Sequence, residues 1–328
     1  MKRLKLFVVL SVLALFIFSY ITDSLASEAL IFKSSDVHND GYPTVEAVKH
    51  MGELLENWTN GRITVKVYPG GKLGGEREAL EQVQLGYIHM TRVSLGPVGV
   101  YSEGLNAFNL PYIFRDTEHM HKVVDGDIGK GLLRGLEKGD LIGLCFMDSG
   151  SRSFYNKHHP IRTPEDMKGL RFRVMDNPIF VEMVKALGAE AVKIPFTEIY
   201  SAIKSDAVDG AENNAPTVFT QKHYEVTDYY SITEHLIVPE ILVFSKKIWD
   251  VLTEADKILI RKASVLCVEK ERELWQKKEE ADLQQLVDED FTIIRDIDKG
   301  PFIKATQSVR EKFGGKYKDL LSRISAIR

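Results

Sequence analysis

An α/β protein of two lobes, joined by crossing strands and spanned by one long helix, is the fold the 328-residue sequence predicts. Three observations carry that expectation. Hydrophobic positions alternate between helical and strand periods through the first part of the chain. The alternation restarts after an irregular centre. From Thr253 no glycine or proline interrupts a helical pattern until Gly300. The length agrees, because single cores stop growing at about 250–300 residues.

In the first unit, Val45, Val48, Met51, Leu55 and Trp58 recur at helical spacing, and Asn60-Gly61 stops that helix. Ile63, Val65 and Val67 alternate as a strand, and Pro69-Gly70-Gly71 turns the chain. A helix over Glu76–Leu85 ends at Gly86, and a strand follows around His89–Val93. Such order predicts a mostly parallel sheet with helices on both faces.

The second unit opens with a strand over Leu141–Met147. Thr163-Pro164-Glu165 starts a short helix, Leu170–Val174 is a strand, and Asn177-Pro178 caps a helix that Gly188 closes. Val192–Ile194, Thr197–Lys204 and Ala207–Glu212 read as strand, helix and strand. With no repeat and no low-complexity linker, the lobes should be joined by strands. Thr253-Glu254-Ala255-Asp256 resembles a capped helix start, after which Leu259, Ala263, Leu266, Leu283 and Leu286 fall near helical spacing around Trp275. About 35 residues at 1.5 Å each make a rod of roughly 50 Å, longer than one lobe is wide.

Met1–Lys5 is basic, Leu6–Ile21 is almost wholly apolar, and Ser24-Leu25-Ala26 ends in small residues, so residues 1–26 read as a cleaved signal peptide. No cysteine adjoins it, which excludes a lipid anchor there. The net charge is −4, and −6 without those residues. An acidic chain is a poor partner for nucleic acid or an anionic membrane. The two cysteines, Cys145 and Cys267, lie in apolar patterns and read as buried thiols. No GxSxG, HExxH or CxxC occurs, and neither His119 with His121 nor His158 with His159 has helical ligand spacing. Gly74-Gly75-Glu76-Arg77 lacks both phosphate-loop patterns. The expectation is a binding protein, with no catalytic residues, metal or cofactor.

Ligands of open α/β sheets bind beyond the carboxyl ends of the strands. Arg173 lies near such an end in Leu170–Val174, where its guanidinium could hold a carboxylate by two charge-assisted hydrogen bonds. Asp148–Asn156, which follows the strand that opens the second unit, is either an ordinary polar turn or, through Arg152, its hydroxyls and Asn156, suited to a sugar or hydroxy acid. Asn213, before a helix start at Ala215-Pro216, can donate and accept, though helix capping is the commoner use of that pattern. Glu76 could accept from ligand hydroxyls, Arg92 offers a further cation, and Glu240 is a charge inside an apolar run: an edge strand or a paired site residue.

Several segments together resemble the solute-binding proteins of TRAP (tripartite ATP-independent periplasmic) transporters, the DctP family, over essentially the whole mature length. They are Gly70–Gly86, Phe108–Phe114 (FNLPYIF), Met167–Val174 (MKGLRFRV), Val208–Asn213 (VDGAEN) and Glu234–Ser245. The resemblance implies a two-lobed periplasmic binding protein with crossing hinge strands. Lobe I would comprise 27–149 plus 239–279, and lobe II 150–238 plus 280–328. It also implies that Arg173 pairs with a ligand carboxylate and that Arg152 and Asn213 line the cleft. Glu76, Arg92, Asn156 and Glu240 look similar to site positions in the branch that binds sugar acids such as glucuronate and galacturonate. The protein is then expected to deliver its solute in the periplasm to a membrane permease. The alternatives are a sensor subunit, a binder of sialic acid, a dicarboxylate or a 2-oxo acid, and a periplasmic enzyme acting on sugar acids.

Overall fold

The structure is a computed structural model and describes residues 29–328, so the signal-peptide expectation lies outside the described residues. The chain begins with β1 (Leu30–Ser35), helix α1 (Pro43–Trp58), β2 (Ile63–Tyr68), α2 (Glu76–Leu85) and β3 (Met90–Ser94). Asn60 and Gly61 both take positive φ, the left-handed turn that ends α1. Gly86, at φ 78°, closes α2 by donating its N–H to Gln82 and Val83 carbonyls.

After short helices come β4 (Leu141–Met147), β5 (Ser151–Asn156), β6 (Arg171–Val174), α3 (Pro178–Ala186), β7 (Glu190–Lys193), β8 (Gly210–Asn213) and α4 (Ala215–Thr220). The chain finishes with β9 (Tyr229–Ile237), β10 (Glu240–Ser245), α5 (Glu254–Asp288), β11 (Thr292–Ile294) and C-terminal helices. Two sheets result, ordered β2-β1-β3-β10-β4 and β11-β9-β5-β8-β6-β7.

Parallel pairs outnumber antiparallel ones by only five to four among the described strands, because the strands that cross between the lobes run against their neighbours. β1 pairs in parallel with β2 and β3, and β6 with β7 and β8. β10, however, runs antiparallel to both β3 and β4, and β5 antiparallel to both β8 and β9. A chain that leaves one sheet through β4 into β5 and returns through β9 into β10 must traverse each sheet against its neighbours. Both sheets are therefore mixed.

Helix α5 has the predicted 35 residues. Thr253 Oγ1 accepts from Asp256 N–H at 3.2 Å, and the Asp256 carboxylate takes the Thr253 hydroxyl at 2.8 Å. Its first half packs Ile260, Ala263 and Cys267 into the first sheet's core, while Leu286 joins the second core. Between them Trp275 meets the Tyr42 ring edge-on. Cys145 and Cys267 are free and buried, as expected.

The crossing between β4 and β5 sits directly on this helix. Asp148 N–H donates to Glu271 at 3.0 Å. Gly150 has φ 57°, and a Cβ there would approach Trp275 to 2.9 Å, so a tight left-handed turn and a close approach both require glycine. Among the described residues no helix is long and apolar enough to cross a membrane.

Candidate functional site

The strand directions bring chain-distant residues to one gap. Asp36 and His38 follow the carboxyl end of β1, and Ser94 ends β3. Because β10 is antiparallel, its first residue, Glu240, stands opposite Ser94. Across the gap, Arg173 lies near the end of β6 and Asn213 ends β8. β5, also antiparallel, presents Arg152 at its start, next to the Ser153–Asn213 pair. Sheet polarity alone thus gathers the polar groups at one place.

Between the sheets lies a cavity of about 10 Å³, lined by His38, Glu76, Ser94, Glu240 on one side and Arg152, Arg173, Met175, Phe196, Asn213 on the other. Outward it meets a cavity of about 500 Å³ that shares Glu76, Arg173, Met175 and Phe196. Side chains bridge the gap. The His38 and Phe196 rings lie 4.9 Å apart, and Tyr42 Oη is 3.2 Å from Thr217 Oγ1. Asn177 reaches over to the Gly96 carbonyl at 3.2 Å.

Arg92 is fully enclosed behind this wall. Its Nε donates to Asp36 at 3.2 Å and Nη1 to Glu76 at 3.0 Å; Nη1 also meets Glu240, and Nη2 meets Asp36 and His38. All of these partners lie on the same wall, with Glu240 held as an ion pair. Burial alone would raise the Asp36 carboxyl, but Arg92 and His38 outweigh it and hold it far below the usual range. Glu240 goes the other way. Burial raises it, and Glu76 and Asp36 add to that, against Arg92 and His38.

On the opposite wall, Arg152 forms a fork with Glu212, Nε at 2.5 Å and Nη2 at 2.9 Å, and donates Nη1 to Asn213 at 2.9 Å. Burial would raise the Glu212 carboxyl, but Arg152 and His235 bring it down to about 2. Arg173 differs. Its Nε donates to the Ile194 carbonyl at 2.7 Å, while buried Nη1 has no hydrogen-bond partner. Burial lowers its pKa to about 10, against the attraction of Glu212 and Tyr155. Unpaired buried donors are rare and costly, so this one marks a place where an acceptor belongs.

Five of the seven expected site residues line the inner cavity: Arg173, Arg152, Asn213, Glu76 and Glu240. Arg92 stands behind Glu76 and Glu240 and aims them. Asn156 is not brought there. It is at the other end of β5, its side chain donating to the His159 carbonyl at 2.9 Å and accepting from the His158 N–H at 2.8 Å, so it braces a turn. Glu240 proves to be on a central strand, paired, rather than at an edge. The two asparagines divide their work: Asn214 caps α4 through the Thr217 N–H, which frees Asn213 for Arg152. Of the two arginines on β6, Arg171 pairs at the rim with Asp209 at 2.7 Å and only Arg173 faces inward.

Asp36, His38, Ser94, Met175 and Phe196 were missed. Leu30–Phe32 followed by Ser34-Ser35-Asp36 carries the signal that would have found the first two: an apolar strand ending in polar residues at the carboxyl edge.

These buried charges set an acid response. Burial, with Arg173 nearby, lowers His223 from 6.5 to about 3. Below pH 6.5 the unfolded chain binds a proton that the folded chain refuses, so stability should fall by about 1.4 kcal/mol per pH unit down to pH 3. Glu212, lowered from 4.5 to about 2, contributes fully above pH 4.5 and loses that contribution as pH falls towards 2. Urea melts between pH 7 and 4 check this. His223→Gln should flatten the slope between pH 6.5 and 4.5, and an unchanged slope would contradict the assignment.

Residues 34–316 match the family model described as DctP, bacterial extracellular solute-binding protein, family 7. A TRAP periplasmic solute-binding protein of Pseudomonas putida F1, with bound D-glucuronate, is 44% identical at a TM-score of 0.89, over 91% of this chain and 98% of that one. One from Xanthobacter autotrophicus Py2, with bound β-D-galacturonate, is 39% identical at 0.88, over 90% and 100%. A third, from Citrobacter koseri, is matched in two forms. With bound D-glucuronate it matches at 0.88 and 38% identity, over 91% and 99%; open and without ligand, at 0.81 and 37%, over 90% and 98%.

Proposed function

The chain belongs to family 7 of the bacterial extracellular solute-binding proteins, as the solute-binding component of a TRAP transporter, and from that premise we propose that its solute is a hexuronate such as glucuronate or galacturonate. The family's members are periplasmic binding proteins that work with a membrane permease. The observation that carries the ligand assignment is the buried guanidinium of Arg173, whose Nη1 has no hydrogen-bond partner, facing a wall of hydroxyl-accepting carboxylates. The uronates bound by the Pseudomonas putida and Xanthobacter autotrophicus proteins support it.

Arg173 takes the carboxylate in two parallel hydrogen bonds, filling the orphaned Nη1. Arg152, already neutralised by Glu212, orients Asn213 beside it. Glu76 and Glu240 accept the sugar hydroxyls, held by Arg92. We place the lobe boundary at 149/150, with lobe I also taking 239–279 and lobe II 280–328; the C-terminal helix Lys318–Ala326 of lobe II rests on Glu103–Asn109 of lobe I.

The inner cavity of about 10 Å³ has room for about one water molecule, so a sugar acid needs the adjoining cavity of about 500 Å³ as well, where Glu76 and Arg173 line both. The higher TM-score to the liganded Citrobacter koseri form than to its open form supports the described arrangement as the closed one. A solute that touches both lobes only when they meet shifts the population towards closure. The closed form then docks on the permease, and binding proceeds without turnover.

A calorimetric and thermal-shift panel tests the assignment. Hexuronates at a thousandfold excess over Kd should add about 4 kcal/mol to stability. Sialic acid, a C4-dicarboxylate and 2-oxo acids should add far less. A shift with one of those and none with any hexuronate would overturn the ligand while leaving the family intact.

A further inference from the structure

The two walls of the inner cavity carry opposite and unequal charge. On the first, Asp36, Glu76 and Glu240 surround one guanidinium, an excess of two negative charges when all three are ionised. Arg92 cannot relieve that excess for a ligand, since it is buried and its hydrogen bonds and ion pairs run to Asp36, His38, Glu76 and Glu240 on its own wall. Glu76 and Glu240, not Arg92, line the cavity. Ser94 adds its hydroxyl to both, at 3.0 Å from Glu76 and 3.4 Å from Glu240. Burial and the neighbouring carboxylates already push Glu240 upward, so this wall tolerates its own charge poorly.

On the second wall the balance reverses. Arg152 is neutralised by Glu212 at 2.5 Å, which leaves Arg173, with its unpaired Nη1, as the uncompensated cation lining the cavity. Resting on the hexuronate reading, we infer that the site rejects sugar acids charged at both ends: it is built for a monocarboxylate whose remote end carries hydroxyls, and Glu76 and Glu240 are the residues that exclude the corresponding hexarate.

The chemistry is that of like charges in a dry site. A hexuronate docked by its carboxylate on Arg173 turns hydroxyl donors towards Glu76 and Glu240, which as ionised carboxylates can only accept. The hexaric acid of the same sugar has a second carboxylate there instead. It donates nothing and sets a third anion against two. Juxtaposed like charges cost several kcal/mol, and specificity built this way uses a repulsive element alongside the attractive one.

Calorimetry on the full mature chain with D-glucuronate and D-galacturonate, and with D-glucarate and galactarate, reads the inference directly. The hexarates should bind at least ~100-fold more weakly than the hexuronates. Glu76→Gln and Glu240→Gln keep a hydrogen-bonding group but remove the charge, and each should narrow that gap by about tenfold or more. Hexarate affinity within threefold of hexuronate affinity in the native chain overturns the inference and leaves the hexuronate reading standing. So does a gap that neither variant changes. Binding of hexarate with none of hexuronate overturns both.

Discussion

Arg173→Ala should weaken hexuronate binding by at least ~30-fold while leaving the ligand-free protein as stable as before, or more so. Truncating one side of a buried charge pair costs about 2–5 kcal/mol, which is roughly 30-fold to several thousandfold in Kd. The stability half of the expectation comes from the same geometry. In the free protein the Arg173 guanidinium is buried with Nη1 unpartnered, and burial has lowered its pKa to about 10, so its enclosure opposes folding. Removing it relieves that cost. Function and stability therefore pull apart at this position, as they do where a site is strained for its ligand.

Arg173→Lys should recover little, since an ammonium is a point charge and cannot match both carboxylate oxygens. Isothermal calorimetry with glucuronate and galacturonate, beside scanning calorimetry of the free protein, measures the two halves separately. Undiminished affinity in Arg173→Ala would remove the carboxylate clamp.

Glu212→Ala should have the largest effect on the fold. The fork between Arg152 and Glu212 joins β5 to β8, and both side chains are almost wholly buried. Removing one partner strands a buried charge, at about 3–5 kcal/mol. For a chain of this size that corresponds to a fall in melting temperature of roughly 10 °C. Replacing both partners by apolar residues of similar size, Arg152→Met with Glu212→Leu, should restore much of the loss, because the penalty belongs to the unpaired charge. The double variant would still bind poorly, with Asn213 no longer held by Arg152 at 2.9 Å. Equal melting temperatures for Glu212→Ala and the native chain would show that the fork does not hold the sheet.

The chain's local grammar was legible. Helix α2 runs from Glu76 to Leu85 and stops at Gly86 as its spacing predicts, and α5 starts at the Thr253 cap and keeps its 35 residues. Caps and helical periods are satisfied within four residues of chain, so sequence order is enough to read them. The place of Arg173 at the cavity was legible too, because a guanidinium on a short strand beside a capped helix start is a local pattern set against a general rule of sheet polarity.

Three things were not legible. Nothing near Asp36 announces Arg92, 56 positions on, nor does anything near Ser94 announce Glu240, 146 positions on. Asn156 and Arg152 lie on one strand, yet only the latter reaches the cleft. The direction of β5 and β10 also escaped, since a strand's period is the same whichever way its neighbour runs. The sequence by itself determined many of the elements, α2 and α5 with their ends among them, and the family. Which charges neutralise one another, and which single cation is left facing the gap, only the tertiary structure decided. Pairing in a buried site depends on register between strands far apart in the chain, and register is set when the sheets assemble.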